Sequence, residues 1–247
     1  DTSVMRTTLI PSLLESLSHN NAHHLPSAAL YELGHIYIPK DDPNELPDEP
    51  RMIAFGFYGD GDFYKLKGMA EALLADAGIT KLSFVADRNN PTFHPGRCAD
   101  IIARGSMNIG VIGQLHPTAA ANYGFDQPVY IAYLPFETIF SIANFKKQYK
   151  PMPKHPTTSR DLAFVCDAKL EVGRIEEVIR KGAGKLLEGI ELFDVYTGDR
   201  IEKGKKSVAF RLTFRSPDHT LTGDEIAASV DKLLAALDKQ LGIKIRQ

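Results

Sequence analysis

The chain has 247 residues, 43% hydrophobic and 24% charged, with Lys+Arg 29 against Asp+Glu 31 and a formal net charge of -2. These values exclude wholesale disorder, collagen and a continuous coiled coil, and there is no global basic excess of the kind that advertises nucleic acid. Two cysteines, Cys98 and Cys166, are too few for a disulfide framework and lack metal-ligand spacing, which points to a reducing cytosol, and no apolar run approaches the roughly 18 residues of a membrane span.

The chain starts at Asp1 and runs directly into structured-looking sequence, so it reads as a piece of a longer protein. MRTTLIPSLLESLSHN repeats Leu9, Leu13, Leu14 and Leu17 at helical spacing, with Thr8 as a possible cap and Pro11 near the first turn. ALYELGHIYI (29–38) reads as a strand and MIAFGFYG (52–59) as its antiparallel partner across the acidic, proline-rich loop 39–50. FYKLKGMAEALLADAG (63–78) is a helix with Leu66, Met69, Ala70, Leu73, Leu74 and Ala77 on one side and Gly78 as its stop. Strands follow at LSFVAD, CADIIA, NIGVIGQL and VYIAYLPF, giving an α+β unit with a mostly antiparallel sheet flanked by helices.

The segment KKQYKPMPKHP (146–156) carries three prolines, which block both helix continuation and ladder bonding. It predicts a linker, a boundary near Lys150, and domains at 1–150 and 151–247. The first holds 12 Lys+Arg and 16 Asp+Glu, the second 17 and 15. In the second, SRDLAFVCD, VGRIEEVIRKGAG, LLEGIELFDVYTG and SVAFRLTFRS read as strand, helix, strand, strand. A capping box at Thr222–Glu225 then opens a helix through Leu241, and GIKIRQ closes as a short strand. The order βαββαβ is that of a ferredoxin-like sandwich.

Side chains alternate across a strand, so the two faces of this sheet can be sorted. Val208, Phe210, Leu212 and Phe214 must meet the helices, leaving Ala209, Arg211, Thr213 and Arg215 on the open side. By the same rule Leu162, Phe164 and Cys166 face the core and Asp161 and Ala163 do not. Leu192, Asp194 and Tyr196 are expected on the open side, opposite Phe193 and Val195; Lys244 and Arg246 complete that side if Ile243 and Ile245 are buried. An aromatic, a carboxylate, a small floor and basic groups together can hold single-stranded nucleic acid, with Tyr196 stacking on a base, Asp194 accepting from base donors and the arginines attracting phosphate. Residues alone leave two other readings open: a small-molecule-sensing regulatory ferredoxin-like module on a dimerising α+β domain, and an enzyme working through the histidines of the first part.

The order and spacing of VMRTTLIPSLLESL, YELGHIYI, FYKLKGMAEALL, HPGRCADI, IGQLHP, SRDLAFV, LFDVYTG and GKKSVAFRLTFRSPDHTLT resemble the C-terminal third of the β subunit of bacterial phenylalanyl-tRNA synthetase. The resemblance covers essentially the whole chain. It implies an α2β2 cytoplasmic enzyme that ligates phenylalanine to tRNAPhe with ATP and Mg2+, its α subunit carrying aminoacylation. Residues 1–150 would be a class II synthetase-like domain without catalytic residues, serving assembly, and 151–247 a ferredoxin-fold anticodon-binding domain. The implied anticodon site consists of Tyr196, Asp194 and Ala163, with Arg211 and Arg215 as phosphate contacts. No cofactor and no metal is expected on this chain itself. A class II strand needs an arginine for the ATP α-phosphate, and YELGHIYI offers Glu32 instead.

Other features have plainer readings beside sharper ones. His94 and His116 each precede proline and are expected to shape turns by bonding to backbone, although Arg97 could contact the α subunit. The resemblance also implies that Leu9, Leu13 and Leu17 could face another chain, against the alternative of a core helix. Lys203, Lys205 and Lys206 read as a solvated loop, or as phosphate contacts beside Tyr196.

Overall fold

A computed structural model describes residues 4–42, 44–146, 149, 151–199 and 201–245. The chain divides into two compact units, Asp1–Gln148 and Tyr149–Gln247. Lys150 and Arg246 lie outside the described residues.

The first unit runs α1 (Ile10–Ala22), β1 (Ala28–His35), β2 (Arg51–Tyr58), α2 (Phe63–Asp76), β3 (Leu82–Ala86), β4 (Phe93–Ala103), β5 (Met107–Leu115), α3 (Pro117–Asn122), β6 (Val129–Pro135) and α4 (Phe136–Ile142). Its six strands form one antiparallel sheet in the order β1-β2-β6-β5-β4-β3. Both faces are covered, which explains why β2 alternates between two apolar environments rather than between core and water. Phe55 and Phe57 join α2 and α4 in one core, whereas Met52, Ala54 and Tyr58 join α1 and α3 in another. Leu9, Leu13 and Leu17 are 0, 3 and 0% exposed within that second core. They therefore pack against the chain's own sheet, and the intersubunit face implied by the resemblance is not available to them.

Two helices, α3 and α4, are absent from the sequence expectation because six or seven residues are too few to display a period. Phe136, expected to end a strand, opens α4 instead. The turn chemistry is closer to expectation. His94 Nδ1 accepts from the Gly96 amide at 3.0 Å and His116 Nδ1 from the Thr118 amide at 3.2 Å, the latter capping α3. Arg97 donates to Gln114 Oε1 inside the same unit.

The second unit contains β7 (Thr158–Asp167), α5 (Val172–Ala183), a single 3-10 turn (Gly184–Leu186), β8 (Leu187–Tyr196), β9 (Lys205–Phe214), α6 (Gly223–Leu241) and β10 (Lys244–Ile245). The sheet order is β10-β7-β9-β8, antiparallel throughout, as a ferredoxin-like βαββαβ chain requires. Helices α5 and α6 cover one face only. Phe164, Val208, Phe210, Leu212 and Phe214, all 0% exposed, meet Ile175, Ile179, Leu233 and Leu237 there. The expected capping box is formed: Thr222 Oγ1 accepts from the Glu225 amide, and Glu225 accepts from the Thr222 amide at 2.9 Å. Gly242, at φ 64, ends α6 in the left-handed conformation that glycine adopts without steric cost.

Candidate nucleic-acid interface

The uncovered face of the four-stranded sheet is built by register. Residues directly opposite in an antiparallel ladder share a face and lie about 5 Å apart. One transverse row reads Tyr196, Ser207, Val165, Lys244 across β8, β9, β7 and β10. The next reads Asp194, Ala209, Ala163, and the third Glu191, Arg211, Asp161. Tyr196, Asp194 and Ala163 therefore stand on one face in adjoining rows. Tyr196 is 38% exposed, while Ala209 beneath this patch is 8% exposed. Two alanines side by side give a low floor flanked by a phenol and a carboxylate.

The strand with the aromatic residues departs from strict alternation. A bulge between Leu192 and Asp194 inserts Phe193 without a partner on β9. Leu192 then lies opposite Phe210, in register with the helix-covered face, rather than beside Asp194 and Tyr196 as alternation predicts. Phe193 turns the other way from its expected side, with the Arg211 guanidinium 5.4 Å from its ring centroid. Because β8 is the edge strand, Leu192 and Phe193 remain 37% and 48% exposed. Ser207, opposite Tyr196 and 5% exposed, is also part of this face. Extending the alternation of Ala209 and Arg211 by one step back along β9 would have found it.

The basic groups are more restrained than the sequence suggests. Arg211 donates twice to Asp161, Nε to Oδ1 and Nη2 to Oδ2, both at 2.9 Å. This bonding holds the Asp161 carboxyl below its ordinary range and raises Arg211, with Glu191 adding to the latter. Arg215 Nε lies 2.9 Å from Glu188 Oε2, although the angle leaves its buried hydrogen without an acceptor. Lys206 donates to the Leu170 carbonyl at 2.6 Å and Lys205 pairs with Glu202 at 3.2 Å. Lys203 is exposed on the β8–β9 loop and lines a cleft of about 410 Å³ with Thr197, Gly198, Asp199 and Glu202. Lys244 is exposed in the Tyr196 row.

In the first unit Glu32, on a strand that carries no arginine between Ala28 and Gly34, is engaged internally. It accepts from Arg6 and, at 2.8 Å, from Ser12 Oγ. Among the described residues no three His, Cys, Asp or Glu side chains gather as a metal centre, and no helix is long and apolar enough to cross a membrane.

Two family matches assign the chain to the aminoacyl-tRNA synthetases. Residues 1–136 match the family described as "Phenylalanyl tRNA synthetase beta chain CLM domain", and residues 153–246 match the "Ferredoxin-fold anticodon binding domain". The chain belongs to the phenylalanyl-tRNA synthetase β-chain family. It is 40% identical over 246 residues to the phenylalanine–tRNA ligase beta subunit of Clostridium tetani, covering 100% of this chain and 31% of that one. The corresponding subunit of Clostridium acetobutylicum is 37% identical over 246 residues, again 100% and 31%. That of Symbiobacterium thermophilum is 36% identical over 258 residues, covering 100% of this chain and 28% of its own. The chain thus spans about a third of the length of the curated relatives it matches.

Proposed function

We propose that the chain is the assembly and anticodon-recognising part of the β subunit of a cytoplasmic phenylalanine–tRNA ligase, working beside an α subunit that carries the ATP- and Mg2+-dependent aminoacylation. Division into a non-catalytic domain at 1–150 and an anticodon-binding domain at 151–247 belongs to this reading. The observation that carries it is the meeting of Tyr196, Asp194 and Ala163 on the helix-free face of a segment matching an anticodon-binding family.

The mechanism is recognition rather than bond-making. An unpaired anticodon base stacks on the Tyr196 phenol. Asp194 accepts hydrogen bonds from the base's amino or imino groups, and so favours bases that present donors at that edge. The alanine floor lets the base approach the sheet closely, and Ser207 offers a hydroxyl beneath the ring. Lys244 and Lys203 attract the flanking phosphates. Arg211 and Arg215 stand on the same path, but Asp161 and Glu188 offset their charge, so their share in phosphate attraction is the smaller one. Glu32, held by Arg6 and Ser12, is a structural carboxylate in the first unit.

Titration with an anticodon stem-loop of tRNAPhe tests the reading. Tyr196→Ala is expected to weaken binding by about 1–3 kcal/mol, the range for one base–aromatic stack, and Tyr196→Phe to be mild because the ring is kept. Equal affinities for the unsubstituted chain and Tyr196→Ala would overturn the stacking role.

A further inference from the structure

Phe193 is a large apolar side chain that the fold spends on water. It is 48% exposed, it does not pack against the core between the sheet and its two helices, and it occurs where β8 breaks its own alternation. A bulge costs ladder bonds and commonly serves to re-aim a side chain. Here it brings the ring under the guanidinium of Arg211, 5.4 Å from ring centroid to Cζ. That guanidinium is fixed in turn by two 2.9 Å bonds to Asp161. The result is an aromatic ring backed by a delocalised guanidinium whose charge is already matched by a carboxylate. Such a surface is poorly suited to clamping phosphate, because Asp161 competes for the same donors. It is well suited to stacking, since unpaired bases stack on both aromatic rings and arginine planes.

We propose that the Phe193–Arg211 pair is a second nucleobase-stacking site, which takes a base of the same RNA strand next to the one held by Tyr196. The proposal rests on the anticodon-binding reading above. Three positions separate Phe193 from Tyr196 along β8, about 10 Å at the rise of an extended strand and somewhat less through the bulge. Two bases splayed from one single strand can span that interval, each on its own platform, with Asp194 between them. In this arrangement Asp161 is a positioning residue: it touches no base and holds the guanidinium plane parallel to one.

The test uses the 247-residue chain and a fluorescent anticodon stem-loop of tRNAPhe, together with copies in which one loop nucleotide at a time is abasic. Phe193→Ala is expected to weaken binding about fivefold or more while leaving the salt dependence unchanged. Arg211→Lys keeps the charge but loses the plane, and is expected to weaken binding in the same way. The Phe193→Ala loss should vanish on one abasic RNA, and the Tyr196→Ala loss on a different one. If Phe193→Ala binds like the unsubstituted chain while Tyr196→Ala is weakened, the second site is overturned and the Tyr196 site stands. If one abasic position silences both variants, a single base is bound and the second site is likewise overturned. If neither variant differs from the unsubstituted chain, or that chain binds no RNA, both readings fall. Unchanged circular dichroism and melting temperature of Phe193→Ala, expected for an exposed side chain outside the core, establish that any loss is one of binding.

Discussion

Gly198 lies directly against the Tyr196 phenol: a Cβ at position 198 would fall on the tyrosine hydroxyl and Cζ. The proposed stacking ring is thus propped by backbone two residues further along, at a point where only hydrogen fits. Gly198 has no positive φ, so its requirement is one of space rather than backbone conformation.

Gly198→Ala should therefore push the ring aside without strain in the main chain. The expected outcome is weaker binding of a tRNAPhe anticodon stem-loop, approaching that of Tyr196→Ala, with an unchanged melting temperature. Tighter or equal binding in an anisotropy titration would show that the ring does not need this support.

Salt dependence should reside in the lysines rather than in Arg211. Lys244 shares the Tyr196 row and has no ion-pair partner among the described residues. Lys244→Ala is expected to reduce the slope of log affinity against log salt by about one, the signature of one lost phosphate contact. An unchanged slope would place the phosphate path on another edge of the sheet.

Helix α6 should lose stability in acid through its cap. Backbone bonding to Thr222, followed by the His219 contact at 2.8 Å and the Thr222 hydroxyl, takes the Glu225 carboxyl down to about 2 from an ordinary 4.5. The folded form therefore favours the ionised carboxylate. Its contribution is fully present above about 4.5 and disappears as pH falls through about 2. Thermal melts of the unsubstituted chain and Glu225→Gln should differ most at pH 6 and converge towards pH 2. A gap that widens on acidification would contradict the sign.

Both thiols should be inert in the folded chain. Burial, followed by the nearby Asp87 and Asp100 charges, pushes Cys98 up to about 12, and burial also raises Cys166. Since the thiolate is the reactive form, an aromatic disulfide reagent at pH 7.5 should modify neither in native buffer and both in guanidinium chloride. Rapid native modification of either would mean that its unit opens readily.

Helices α2 and α6 were legible because their apolar stripes run long enough to repeat, and β9 because Val208 to Phe214 alternates cleanly against two helices. The placement of Tyr196, Asp194 and Ala163 on one face was legible for the same reason. The side taken by Phe193 was not, because LFDVY looks regular by itself and the bulge is fixed by how β8 pairs with Phe210 and Ala209. Nor could composition say which arginines keep a free charge. Asp161 and Arg211 are 50 residues apart and meet only because β7 and β9 pair in one particular register. Leu9, Leu13 and Leu17 show a further limit: periodicity marks a face as apolar without saying what covers it, and here the cover is the chain's own second core.

The paired alanines at 163 and 209 have an implication for how such a surface could change over time. Its depth is set by two side chains that stop at the methyl, so specificity could be switched off by adding bulk, with every polar contact left in place. On the proposed anticodon reading, a valine at either position would raise the floor by the thickness of a branched side chain and lift an incoming base out of reach of Asp194. On the proposed reading, this surface therefore depends as much on smallness as on chemistry.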